Sequence, residues 1–300
     1  MSKRSRERQL AKLAARRQAE RDAQRRRRQA ILGVVAAVIA VILLVTAGAI
    51  LFNGDDDPVA SPSPTGPTSP TGPTGSPSGS PTPQAEPGTK TGTVDPQPAP
   101  AEVACGADAP AGAGKPKPQF AGPPPMKVSP DKTYTAEMVT SCGTIVIELD
   151  PKAAPQTVNS FVFLANHRYF DGQYLHRIDT SIDVLQGGDP TGTGSGGPGY
   201  SIPDELQGGE EYGPGVFAMA NAGANTGGSQ FFIITGENGH NLDANPNYTI
   251  FGHIVRGLDV AQRIQTLPIA DPEAAAQGDI SGQAPNEAVY IDSVTITEGL

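Results

Sequence analysis

The 300-residue chain carries 36 Gly and 30 Pro, more than a packed globular chain of this length holds, so part of it has to lie outside any core. Its net charge of -9 hides a split: residues 1–29 hold 12 Lys or Arg against 3 acidic residues, which leaves the remainder at -18. Four histidines (His167, His176, His240, His253) and two cysteines show no ligand spacing, which argues against a metal site, and no cofactor-binding pattern is evident.

The basic segment at residues 1–29 has helical composition and reads as a cytoplasmic topology determinant, with anionic lipid as an alternative ligand and no nucleic-acid partner expected. Ala30–Phe52 follows with no charged residue and is long enough to cross a bilayer as a tilted helix. Arg25–Arg28 flank it on one side and Asp55–Asp57 on the other, which puts the N-terminus in the cytoplasm and the rest outside. A faint cleavage-like run, Ala47-Gly48-Ala49, leaves later removal of the anchor open.

Residues 53–130 read as a Pro/Ser/Thr/Gly-rich spacer containing the repeat Ser63-Pro-Thr-Gly-Pro-Thr68, Ser69-Pro-Thr-Gly-Pro-Thr74. Its glycines do not recur every third residue, so a collagen-like helix is excluded. Cys105 within this stretch and Cys142 beyond it both fall outside the cell in this topology, where oxidising conditions favour a disulfide between them. Two free thiols are the alternative.

From residue 131 to 300 the signals become those of a folded domain. Ile145, Ile147 and Leu149 alternate with more polar residues, which predicts a strand. Pro155 opens a helix whose Val158, Phe161, Val162 and Ala165 share a face. Short strands are expected at Tyr174–Ile178, Val184–Gln186, Val216–Asn221, Phe231–Thr235 and Ile250–Ile254, and a second helix at Gly257–Thr266. Val289 and Ile291 alternate in one phase, Val294 and Ile296 in the other, and a bulge near Asp292 would explain the slip. Many short antiparallel strands with two helices suggest a closed barrel capped at its ends.

Three stretches carry more than fold. Gly215-Val-Phe-Ala-Met-Ala-Asn-Ala-Gly-Ala-Asn-Thr-Gly-Gly-Ser-Gln-Phe-Phe-Ile-Ile-Thr235 places a small-residue loop between two apolar strands, exposing backbone donors and acceptors. His176-Arg177-Ile178 and Gln186-Gly187-Gly188-Asp189 add a cation and a carboxamide. Together they resemble the cyclophilin family of peptidyl-prolyl cis-trans isomerases over roughly Tyr134–Gly299. The resemblance implies an eight-stranded antiparallel β-barrel with two capping helices. It implies Arg177 as the catalytic donor and Gln186 as the group that orients it. It further implies that Ala220 and Asn221 line the groove, that Phe232 and Leu242 wall a proline pocket, and that Gln230 contacts the peptide. Tyr248 takes the position of the family's pocket histidine.

The chain departs from the family pattern between Arg177 and Gln186, where eight residues stand instead of seven and Asp183 falls at the position of a pocket phenylalanine. Either a local bulge lets Ile182 or Val184 take the wall, or the pocket is impaired, since a carboxylate against a proline ring is poorly solvated. Asn241 stands where the common form has Trp before Leu242, so weak cyclosporin binding is expected. Gly192-Thr-Gly-Ser-Gly-Gly197 matches a dinucleotide-loop pattern, but Pro198 and Pro203 occupy the place of the helix it needs, and Ser229 lacks a nucleophile-elbow setting. The reading is a membrane-tethered isomerase acting on X-Pro bonds of exported proteins. A weakly catalytic proline-peptide binding module on the same barrel is the alternative.

Overall fold

The structure, a computed structural model, describes residues 86–299. The basic segment 1–29, the span 30–52 and the spacer as far as residue 85 lie outside the described residues.

Two short strands come first, β1 (Lys90–Val94) and β2 (Lys117–Phe120), paired antiparallel. Then follow β3 (Thr133–Thr140), β4 (Gly143–Leu149), α1 (Pro155–Asn166), β5 (Arg177–Asp179), β6 (Val184–Gly187), β7 (Val216–Met219), β8 (Phe231–Ile234), β9 (Ile250–Arg256), α2 (Leu258–Gln265), the four-residue α3 (Pro272–Ala275) and β10 (Ile291–Gly299). β3 to β10 form one eight-stranded antiparallel sheet in the order β10-β3-β4-β9-β7-β8-β6-β5.

Alternation along the strands sorts apolar side chains onto two faces. Phe217, Phe231 and Phe251 point inward, where Phe161 of α1 meets them at ring-centroid distances of 5.4, 6.1 and 5.5 Å. Their neighbours Ala218, Phe232 and Ile250 point outward and form a second, smaller apolar cluster with Val184, Val216 and Ile234. The register between β10 and β3 shifts between Ile291 and Ser293, so the phase slip at Asp292 is a bulge as the sequence predicts.

Helix α1 starts where Pro155 fits the first turn, but Ala154 before it offers no capping side chain. The exposed N–H groups are taken by a distant carboxylate instead: Glu205 accepts from the Gln156 N–H at 3.0 Å and the Thr157 N–H at 2.9 Å. A carboxylate there also meets the positive end of the helix dipole.

Three expectations are corrected. The sheet is curled rather than a barrel closed by a full ladder: its edges meet where the Leu175 N–H donates to the Val289 carbonyl at 2.9 Å and the Ile291 N–H to the Gln173 carbonyl at 2.8 Å. A third helix, α3, joins the two expected. The segment assigned to the spacer is folded from Glu86 onward, against the boundary at 130: Ala104 and Phe120 are buried in the main core, and Phe120 packs edge-on to Phe163 at 4.9 Å. Cys105 and Cys142 are disulfide-bonded with Cα atoms 5.3 Å apart, which ties this segment to the β3–β4 turn.

Candidate active site

The register places the site. Arg177 of β5 lies opposite Gln186 of β6, Gln186 opposite Phe232 of β8, and Phe232 opposite Ala218 of β7. Residues directly opposite on adjacent strands share a face, so the cation, the carboxamide and the aromatic ring form one row across the outer surface. The sequence-predicted trio therefore comes together through strand pairing.

Arg177 is half-buried and firmly held. Its Nη1 donates to Gln186 Oε1 at 2.9 Å, Nη2 to Asp179 Oδ2 at 2.7 Å, and Nε to Gln283 Oε1 at 2.5 Å. A guanidinium carries five N–H groups, so one on each terminal nitrogen is left for a ligand. Next to it in sequence, His176 is buried on the inner side, and neither ring nitrogen has a hydrogen-bond partner among the described residues. Burial first, and the Arg177 charge in addition, push its pKa down to about 4 despite the opposing pull of Asp189. The imidazole is neutral at ordinary pH, which leaves Arg177 as the charged member of the pair.

On one side of Gln186 lies the outer apolar cluster. Phe232 meets the Tyr248 ring edge-on at 5.2 Å, and Leu242, Ala220 and Ile182 pack on the same outer cluster, with Val184 buried beneath. Asp183 does not enter it. At φ +50° this residue turns its carboxylate to the next turn, where Oδ2 accepts from the Asn238 N–H at 2.9 Å, while its carbonyl accepts from the Thr235 N–H at 2.8 Å. The extra residue between Arg177 and Gln186 is absorbed in that left-handed turn, and the aliphatic side chains of Ile182 and Val184 join the apolar cluster.

On the other side of Gln186 is a cavity of about 220 Å³ whose lining includes Ala220, Asn221, Gln230 and the loop Gly194–Pro198. Gln186 Nε2 donates to Gln230 Oε1 at 2.9 Å, and Gln230 Nε2 donates to the Gly196 carbonyl at 2.9 Å. The Asn221 side chain is occupied, with Nδ2 donating to the Asn247 carbonyl at 2.8 Å and Oδ1 accepting from the Gly223 N–H. Its main-chain N–H and carbonyl have no partner among the described residues, so an extended chain passing by can pair with them. Among the described residues no three His, Cys, Asp or Glu side chains gather to hold a metal ion.

Three residues of the site escape the sequence reading. Tyr212 is fully buried in the outer cluster; its hydroxyl donates to the Tyr248 carbonyl at 2.8 Å and accepts from the Tyr248 N–H at 3.0 Å, which fixes that residue. It sits in Glu-Glu-Tyr-Gly-Pro, a stretch without periodicity, and the lone aromatic among turn residues was the available signal. Asp179 is two residues from Arg177 on the same strand face, a spacing visible in sequence. Gln283 lies 106 residues away and had no local signal.

The comparisons agree with this geometry. The model of the cyclophilin type peptidyl-prolyl cis-trans isomerase family matches residues 135–296. Peptidyl-prolyl cis-trans isomerase A of Mycobacterium tuberculosis is 38% identical over 185 residues, covering 56% of this chain and 95% of its own length. Peptidyl-prolyl cis-trans isomerase B of Bacillus subtilis is 45% identical over 121 residues, 40% of this chain and 82% of its own. The isomerase ppi1 of Schizosaccharomyces pombe is 45% identical over 132 residues, 43% of this chain and 83% of its own. With the matched span, the curled antiparallel sheet and the Arg177–Gln186–Phe232 row in agreement, the chain belongs to the cyclophilin-type peptidyl-prolyl cis-trans isomerases.

Proposed function

We propose that the chain is a membrane-tethered isomerase that accelerates X-Pro rotation in exported or cell-envelope proteins as they fold. Rotation is slow because amide resonance sets a barrier of about 18–20 kcal/mol. A hydrogen bond to the prolyl nitrogen withdraws its lone pair from conjugation and favours the twisted state over both planar ones. Arg177 supplies that bond from its unused N–H groups, Gln186 orients it, and the apolar cluster of Phe232, Leu242 and Tyr248 holds the proline ring, with Ile182 and Val184 behind. Ala220 and Asn221 line the groove, the main-chain groups of Asn221 pair the residue before proline, and Gln230 contacts the neighbouring peptide. No covalent bond is made or broken.

The observation that carries this reading is the placement of Arg177 in one cross-strand row with Gln186 and Phe232, with donors to spare. The binding-module alternative rested on Asp183 spoiling the pocket, and its carboxylate is engaged elsewhere. The extracytoplasmic placement is supported by the Cys105–Cys142 disulfide together with the charge asymmetry around residues 30–52. In a protease-coupled or NMR exchange assay on an X-Pro peptide, Arg177→Ala is expected to lose two to three orders of magnitude in kcat/KM, about 3–4 kcal/mol of barrier lowering. A wild-type rate at background overturns the proposal. Cyclosporin is expected to bind weakly because an exposed Asn241 stands where the common family form has Trp, and a tight complex in a binding assay would refute that.

A further inference from the structure

Residues 86–130 precede the family-matched span 135–296, yet they are bonded to the wall of the groove. Gln119 Nε2 donates to the Gly197 carbonyl at 2.8 Å, the Phe120 N–H to the Pro198 carbonyl at 2.8 Å, and the Gln97 N–H to the Thr191 carbonyl at 3.0 Å. All three acceptors belong to the loop 190–199. We propose that this extension is the outer clamp of the groove and that Gln119 is a positioning residue, setting how well the enzyme takes peptides that extend beyond the residue before proline. The proposal rests on the isomerase reading above and adds a specificity device to it.

The loop needs a clamp. Gly192, Gly194 and Gly199 have φ of +72°, +84° and +93°, a backbone with much conformational freedom to lose. From within, the buried Asp189 holds it, accepting from the N–H groups of Thr191 at 2.7 Å, Gly194 at 2.5 Å and Gly196 at 3.2 Å. From outside, β2 holds it through Gln119 and Phe120. So fixed, the loop offers the Gly194 and Gly196 carbonyls to Gln230 Nε2 at 3.1 and 2.9 Å. Gln230 in turn accepts from Gln186, and Gln186 accepts from Arg177. Hydrogen bonds bridged by the Gly196–Gly197 backbone thus join the extension to the catalytic cation along one wall of the 220 Å³ cavity. The extension is itself anchored, by Phe120 in the core, by the Cys105–Cys142 disulfide and by Lys117 Nζ donating to the Asp171 carbonyl. Because Asn221 lines both groove and cavity, residues upstream of the one paired to it run past this loop.

The test compares the intact chain with Gln119→Ala. Amide exchange at Gly194 and Gly196 is expected to speed up, and the ratio of kcat/KM for extended over short X-Pro peptides to fall about 2- to 10-fold, the weight of one or two hydrogen bonds. Gln119→Lys, which keeps a donor of similar reach, restores both. Gly199→Ala attacks the same seam from the loop side, placing a Cβ 2.7 Å from the Phe120 carbonyl at φ +93°, and reproduces the Gln119→Ala pattern. Unchanged loop exchange in both Gln119→Ala and Gly199→Ala, or an equal loss on short and extended peptides, overturns the clamp. An inactive wild type would sink the isomerase reading alone, since amide exchange still decides the clamp.

Discussion

Arg177 is a cation held from three directions, and each bond fixes one edge of the guanidinium plane. Asp179 is buried and spends its second oxygen on Ser181, accepting from its N–H at 2.9 Å and its hydroxyl at 2.6 Å, so it cannot swing away from Arg177. Removing it in Asp179→Ala is expected to lower kcat/KM about tenfold, the value of one charge-assisted hydrogen bond, as read in the peptide isomerisation assay. Asp183 works at the same scale through backbone shape. Its φ of +50° suits Asp or Asn better than a residue without a short polar side chain. Asp183→Ala should cost about 1–2 kcal/mol in thermal denaturation by losing the acceptor for the Asn238 N–H, while Asp183→Asn should cost less. The direction of that carboxylate was illegible in sequence, because one surplus residue can be accommodated by any of several neighbours turning left-handed.

Among the elements, α1 and α2 were readable because apolar residues three and four apart leave few alternatives, and Pro155 marks a first turn. What caps α1 was not readable, since Glu205 reaches it from 48 residues away. Glu205→Ala is expected to destabilise by about 1 kcal/mol in chemical denaturation, as loss of an N-cap acceptor does. β5 is shorter than its apolar pattern suggests, because residues 172–175 turn to bond with residues 289–291. β1 and β2 were hidden inside a Pro-rich tract, where Lys-Thr-Gly-Thr-Val and Lys-Pro-Gln-Phe show no usable alternation. They are held by pairing, by Phe120 and by the disulfide. Replacing Cys105 and Cys142 by Ser removes a cross-link between residues 37 apart and is expected to cost about 3–4 kcal/mol in denaturant titration.

At the scale of the whole molecule, burial of ionisable groups sets the acid limit. His176 takes up a proton at about 4 in the fold against an ordinary 6.5. As pH falls from 6.5 the unfolded chain gains a proton that the folded state refuses until about 4, so stability drops across that window, by about 3 kcal/mol at most. Melting temperature measured between pH 4 and 7 should carry this slope in the wild type and lose it in His176→Asn. Asp189 acts lower on the scale. Burial alone would raise its pKa, but the hydrogen bonds from Thr191 and Gly196 prevail and depress it, so the groove loop keeps its inner tie until pH falls below the ordinary carboxylate range.

By itself the sequence determined the alternation of Ile145, Ile147 and Leu149, the helix opening at Pro155, the bulge at Asp292 and the family motif around Arg177 and Gln186, and it favoured a bond between the two cysteines. These are matters of period, spacing and composition, and the steric rules behind them act over a few residues. Only the tertiary structure decided that Gln283 closes the cage around the guanidinium, that Asp183 turns away from the apolar cluster, and that residues 86–130 belong to the folded unit. Each of those depends on where a hydrogen-bonding group from a distant part of the chain arrives once the sheet has curled, and nothing in the local sequence encodes that arrival.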